Sequence, residues 1–558
     1  MLRRFQAVAW TLLAAIPVLY IAVTAVAASR NIVFWDEFDT ALALILRIDA
    51  GADWRELLER FFAINNEHRM VTSRLLFALS YWLTGTVNFH VVGAIGNLFL
   101  LGACVTLIVA TTGGYRRIRL GVVLAFMMFQ LEHFENFLWS GASIDHFQVV
   151  MHTVAALVAI ERGSRPALVA GVILGLAATF TLAHGILVWP VGAVLLWHQR
   201  RWVHLASWAG LAVLAIALFT YGFEFNPGHR VLAPTLQNAI MLLRYWLALI
   251  GAPLTLGDAG FAPIPGLIFI IGFALVLTRG AMSREPVAVF SIFFALGTLA
   301  LIAVGRLEIA SATEINSRYL VLGALAWAMF IFILLELQAS PTRPFRMLAW
   351  LAPALLAFNV SANIRYAPLA EGYIEIRDRA ATTFMTHHQD GKGQWRLHPV
   401  EGHADVLLKM AEDRGVYTLP SVSRLAEFPT ARLSDRMIGW ADQFVVNDRS
   451  IMIGGWAMIQ GQLSRRGHVY VMLRSEKSKF IFSTVTLQRP DVAKAYQTPG
   501  WRRSGFRTVI ERSSLPAEDF DVGVLVDGDN APKYMMLRKR LLLATQAESP
   551  ALTLAENP

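Results

Sequence analysis

Cysteine is almost missing from this chain. A single residue, Cys104, stands among 558, inside an apolar run. One chain can therefore form neither a disulfide framework nor a cysteine-based metal site, and the side chain reads as a small buried hydrophobe. Charge is sparse as well. Asp, Glu, Lys and Arg make up 16% of the residues against 56% hydrophobic, and mean hydropathy is +0.50. That balance excludes a soluble multidomain protein and reads as a polytopic membrane protein. Nucleotide-handling motifs are absent, with no G-x-x-x-x-G-K-[ST] and no Rossmann glycine fingerprint after a strand, and there is no G-x-S-x-G serine-nucleophile motif. Internal repeats and low-complexity tracts are missing too. The net charge of +9 does not indicate a nucleic-acid partner, because the basic residues fall in short clusters between apolar runs, where they set membrane topology.

What is present is a series of apolar runs. The first, 9–28, follows a basic start and ends in A-V-A-A-S; it is longer than a signal-peptide core and reads as an uncleaved span. Taking clusters such as Arg116, Arg117 and Arg119, or Arg200 and Arg201, as cytoplasmic markers gives spans at 9–28, 88–111, 118–134, 145–160, 166–183, 184–198, 203–222, 264–279, 286–305, 319–338 and 346–362. That makes about eleven crossings, with the amino terminus inside and the carboxy-terminal region outside. Two further stretches, 70–85 and 239–255, carry Arg74 and Arg244 and are expected as juxtamembrane or re-entrant helices on the outer face. Arg74 is expected to point toward lipid headgroups.

This topology collects acids and histidines on the outer side. The stretch F-W-D-E-F-D places Asp36, Glu37 and Asp39 within four positions of one another beside Phe34 and Trp35. A carboxylate held at the interface next to a lipid-borne substrate can take a proton from an acceptor hydroxyl. N-N-E-H-R contributes Glu67, His68 and Arg69, suited to an anionic group. Arg306, Arg318 and Tyr319 flank a later loop that also carries Glu308, Glu314 and Asn316, and an arginine fork there suits phosphate oxygens. Glu132, His133, Glu135, Asn136, Asp145, His146, His184, His229 and Arg230 fall on the same side. The run H-F-E-N-F-L-W-S-G-A-S-I-D-H has no tight metal-ligand spacing, and no metal ligands are assigned.

Beyond residue 362 the character changes. Residues 363–433 read as a polar, helical linker in which A-D-V-L-L-K-M-A-E-D-R ends at Gly415. From 434 to 543 alternation of period two, broken by Gly, Asn, Asp and Pro, predicts a small β-sandwich. The tail 544–558 has no pattern and is expected to be disordered. The predicted domains are thus 1–362, 363–433, 434–543 and the tail.

An acidic first outer loop, juxtamembrane helices after it and many spans resemble the GT-C superfamily of membrane glycosyltransferases, which use polyprenyl-phosphate sugars. More narrowly, F-W-D-E-F-D, N-N-E-H-R, E-N-F-L-W-S, A-H-G-I-L-V-W-P, L-I-G-A-P-L and S-R-Y look like motifs of a bacterial group of uncharacterised GT-C-like proteins, over roughly residues 5–365. The resemblance implies a polyprenyl-phosphate sugar donor, a glycan or lipid acceptor, and a first-loop acid as catalytic base: Asp36 first, with Glu37 and Asp39 as rivals. The expected enzyme is an inverting transferase on the outer face of the bacterial inner membrane, with no obligatory cofactor and a divalent metal optional. A polysaccharide polymerase or ligase, and a lipid-linked sugar flippase, are the alternatives. The β region resembles modules attached to glycan enzymes, with Trp456 or Trp501 as a stacking platform; for Trp456, a place in the core is the competing expectation.

Overall fold

The structure is a computed structural model and describes residues 2–223, 235–306, 315–339, 344–420, 431–461, 468–527 and 532–543. His229, Arg230, Glu308, Glu314 and the tail 544–558 lie outside the described residues. The chain divides into two units. The first comprises residues 1–30 and 39–373, the second residues 31–38 and 374–558.

The first unit is helical. Eight helices in the described chain are long and apolar enough to cross a membrane: Arg4–Ala28, Phe89–Ala110, Ser140–Arg162, Trp202–Thr220, Leu236–Thr255, Pro286–Arg306, Ser317–Leu337 and Arg346–His387. Three shorter apolar helices, Arg165–Thr179, Ala183–His198 and Pro263–Thr278, accompany them. Phe5, Leu12, Val203, Val213 and Ile268 remain exposed on these helices. Apolar faces of that extent are costly in water and natural in lipid, and the unit is compatible with a multi-pass membrane protein.

The expected spans 166–183, 184–198 and 264–279 fall on the three shorter helices, so eight helices of the described residues have span length against about eleven expected. The helices differ from the expected spans at three further places. Leu236–Thr255 meets the length and composition of a span, although 239–255 was expected as a re-entrant piece. The expected span 118–134 is a helix of 15 residues, Gly114–Met128, followed by short helical turns. The expected boundary at 362/363 falls inside one 42-residue helix, Arg346–His387, and contact between elements changes at 373/374 instead.

One end of this unit is closed by ion pairs. Arg119 holds Glu336 with two hydrogen bonds of 2.8 and 2.9 Å, and Arg116 pairs with both Glu336 and Glu285. Glu336 and Arg318 sit near opposite ends of the helix Ser317–Leu337. The far end of the bundle is where the outer-loop residues gather.

Among its described residues the second unit carries nine strands: β1 (Arg432–Leu433), β2 (Met437–Val446), β3 (Ser450–Ile459), β4 (His468–Arg474), β5 (Lys479–Ser483), β6 (Val485–Leu487), β7 (Gly505–Glu511), β8 (Phe520–Asp527) and β9 (Lys533–Leu541). They form a five-stranded sheet, β1-β9-β8-β4-β5, and a four-stranded sheet, β2-β3-β7-β6. Alternate residues of both sheets share one core, with Ile451, Ile453, Phe506 and Ile510 from one and Val469, Val471, Val522 and Val524 from the other. The expected helix is present as His403–Arg414, and Gly415 ends it at φ 68. Trp501 is buried with Met458 and Val492, and Trp456 packs beside them rather than in the shared core.

Residues 31–38 belong to this second unit by direct bonds. Tyr417 Oη accepts from the Val33 N–H at 3.0 Å and donates to the Asn31 carbonyl at 2.8 Å. The Trp35 N–H donates to Leu397 O at 2.8 Å, and Arg377 donates to Ile32 O at 2.9 Å while lying over the Phe34 ring.

Candidate functional site

The three first-loop acids have separate fates. Glu37 is 0% exposed, and its carboxylate accepts from the Phe34 N–H at 2.8 Å, which makes it part of the turn. Asp36 lies in the segment that packs with the second unit. It follows Trp35, whose φ of 51 is uncommon for an aromatic side chain and marks local strain. Asp39 is exposed, belongs to the membrane unit and interacts electrostatically with Arg74, as does Asp145.

N-N-E-H-R forms a tight turn. Asn65 and His68 pair through two backbone hydrogen bonds of 2.9 Å, with Asn66 at φ 51 between them, so Glu67 and His68 project from its tip. His68 Nδ1 accepts from the Ala183 N–H at 3.1 Å. The neighbouring Arg69 is spent otherwise. Its guanidinium donates to the carbonyls of Phe219, at 2.7 Å, and of Phe62 and Tyr221. Those bonds satisfy the end of the helix Trp202–Thr220 and leave Arg69 a structural role in place of the expected phosphate contact. Arg74 is likewise buried, donating to Phe61 O and Ala63 O, and does not reach toward headgroups.

Arg318 and Tyr319 open the helix Ser317–Leu337, whose N-cap is Asn316. The motif E-N-F-L-W-S fixes that start. Glu135 Oε2 accepts from Ser317 Oγ at 2.8 Å and from the Arg318 N–H at 3.2 Å, while Asn136 donates to Arg318 O at 3.0 Å. A carboxylate at a helix N-terminus satisfies orphan N–H groups and complements the dipole. Glu135→Ala is therefore expected to cost about 1–2 kcal/mol of stability, read as a lower thermal midpoint of the detergent-solubilised protein, with Glu135→Gln recovering part of it. The Arg318 guanidinium lies over the rings of Trp139 and Tyr319 at 5.8 and 5.5 Å.

Two further side chains join this set. His146 sits in a π-helical turn, Ser143–Phe147, held where Ser143 Oγ donates to Gly93 O and Asn97 Oδ1, both at 3.1 Å. A Cβ on Gly96 would lie 2.2 Å from Ser143 Oγ, so the helix Phe89–Ala110 approaches this turn only because glycine stands there. His184 begins A-H-G-I-L. A Cβ on Gly185 would fall 1.9 Å from Ala178 O, so glycine is what lets the turn fold back and bury His184. The His146 and His184 rings stack with centroids 6.3 Å apart, and His146 meets Tyr319 edge-on at 5.9 Å. His68, His184, Arg306 and Arg318 all act electrostatically on His146.

The membrane unit thus brings together His68, Arg306, Arg318 and Tyr319 from the sequence reading, with Glu67 beside them, and adds His146 and His184. Both histidines were legible as outer-side residues, but nothing in their spacing paired residues 38 positions apart on different turns. Desolvation holds His68 down at about 4; Glu67 opposes this, and Arg306 and Arg318 reinforce it. His68 is accordingly neutral at pH 7. A lowered folded-state value means that the unfolded chain binds the proton first, so stability is full above pH 6.5 and falls as pH drops toward about 4. The His68→Gln variant is expected to lose up to about 3 kcal/mol less than wild type between pH 7 and pH 4, measured by denaturation at both pH values.

The chain matches no protein-family model, no curated protein and no solved structure.

Proposed function

We propose that this protein is a GT-C-type glycosyltransferase that moves a sugar from a polyprenyl-phosphate donor to a cell-envelope glycan or lipid acceptor at the periplasmic face of the bacterial inner membrane. The observation that carries the reading is the meeting of Arg306, Arg318, Tyr319 and three imidazoles at one end of a membrane bundle, with Glu67 as the carboxylate beside them. Donors outnumber acceptors in that cluster, which is the balance a phosphate requires. A phosphate carried on a polyprenyl chain would reach such a place from the bilayer.

In the step itself, the acceptor hydroxyl gives its proton to a carboxylate as its oxygen bonds to the anomeric carbon. The bond from that carbon to the phosphate oxygen breaks, and the electron pair leaves on the polyprenyl phosphate, whose charge Arg306 and Arg318 stabilise. A single displacement of this kind inverts the anomeric centre. Asp39 is the first-loop acid best suited as base, because it is exposed and belongs to the same unit as the cationic cluster. The two sheets read as a β-sandwich whose partly exposed Trp456, beside Tyr496 at 5.4 Å, offers a face for the acceptor sugar. A flippase would need polar groups free at both ends, whereas Arg119 and Glu336 at the other end hold each other.

The test supplies membranes containing the protein with a panel of polyprenyl-phosphate hexoses and pentoses and follows transfer. Arg318→Ala is expected to reduce transfer by about 100-fold; an undiminished rate would remove the phosphate role. Mass spectrometry of glycans from cells lacking the protein separates the rival enzymes. Loss of one sugar residue agrees with monosaccharide transfer, and loss of whole chains points to a polymerase or ligase.

A further inference from the structure

His184 is 7% exposed, and its Nε2 has no hydrogen-bond partner among the described residues. A buried polar atom left in this state is uncommon and calls for a ligand. Its surroundings say which kind. The stacked His146 ring is 6.3 Å away, His68 is bonded to the preceding residue Ala183, and Arg318 and Arg306 act on His146 from the opening of one helix and the close of another. On the remaining side His184 meets the Phe294 ring. Glu67 is the acid that accompanies His68, and Tyr319 is the phenol facing His146. The helices Arg165–Thr179 and Val188–His198, which flank the His184 turn, carry their ionisable residues, Arg165 and His198, at their far ends.

We infer that His146 and His184 form a proton-accepting pair that completes anion recognition, so that a bound phosphate ester is taken up together with one proton that resides on either imidazole. The inference rests on the phosphate reading of this site. A phosphate bound between Arg306, Arg318 and the two rings brings the negative charge that favours an imidazolium beside it. Stacked rings at this separation repel each other if both are charged, so the pair takes one proton and not two. The proton comes from solvent and goes to His184 Nε2 or to His146, and the resulting N–H donates to a phosphate oxygen in a charge-assisted bond. Leaving as a phosphate already bonded to a cationic imidazole, the polyprenyl carrier departs as a weaker base.

The test uses the full-length protein in phosphatidylcholine nanodiscs and titration calorimetry near pH 7, in two buffers of different ionisation enthalpy. The probes are farnesyl phosphate, inorganic phosphate and farnesol. Farnesyl phosphate is expected to bind with uptake of roughly one proton, and farnesol, lacking the anion, is not. His184→Gln is expected to bind about ten-fold more weakly with the uptake abolished. His146→Gln should lose most of the uptake, and Arg318→Ala should lose affinity while keeping it. Wild-type binding without proton uptake, or an unchanged uptake in both histidine variants, overturns the inference and leaves the phosphate site standing. Failure of wild type to bind either phosphate removes the phosphate reading itself and this inference with it. Inorganic phosphate binding as tightly as farnesyl phosphate, with the same uptake, supports the pair and assigns it to a soluble anion instead of a lipid. Thermal midpoints of the variants, compared with wild type, separate lost recognition from lost fold.

Discussion

Asp39→Asn is expected to lower sugar transfer by about a thousand-fold, the middle of the range for removing a general base, with donor affinity little changed. The substitution keeps volume and hydrogen bonding and removes the proton acceptor alone. Asp36→Asn should fall by only a few fold, because Asp36 packs with the second unit. Transfer of radiolabelled sugar, measured separately from farnesyl phosphate binding, tells the two apart. A collapse in Asp36→Asn with Asp39→Asn intact would move the base by three residues, and full activity in both, and in Glu37→Gln, would end acid–base chemistry by this loop.

The second large effect is on stability. Glu37 and Arg377 are 0% and 2% exposed, and both act electrostatically on Tyr417, whose hydroxyl bridges Asn31 and Val33. Arg377 donates to Ile32 O and covers the Phe34 ring, so its loss leaves a buried carbonyl unbonded. Arg377→Met is expected to cost about 1–3 kcal/mol, and Glu37→Gln less, since the amide oxygen still accepts from the Phe34 N–H. Hydrogen exchange at residues 31–38 is the direct readout, with protection of the Val33 and Trp35 amides falling by up to about a hundred-fold in Arg377→Met. Unchanged protection would show that the clamp resides elsewhere.

Local pattern revealed much of this architecture. The period-two runs at 450–457, 468–475 and 479–485 are β3, β4 and β5, and the helix ending at Gly415 ends there because only a residue tolerant of positive φ continues the chain. The S-R-Y start of a helix was readable from its flanking polar residues. What escaped was pairing at a distance. Charge alternation placed 239–255 on the outer surface, yet Leu236–Thr255 has the length and hydropathy of a candidate span. F-W-D-E-F-D read as one functional cluster, but its residues divide between two units. Arg69 looked like a phosphate ligand until its carbonyl partners, about 150 positions away, were known. Side-chain type announces what a group can do, and only the fold decides what has already claimed it.

The Tyr417 clamp has a consequence for biosynthesis. Its hydroxyl meets Val33 across 384 residues of chain. At about 5–20 residues per second the ribosome takes on the order of 20–80 s to cover that distance, and throughout this interval the acidic turn lacks the contacts that shape it. A polypeptide broken off before Tyr417 therefore carries its apolar helices yet never acquires a finished turn at residues 31–38.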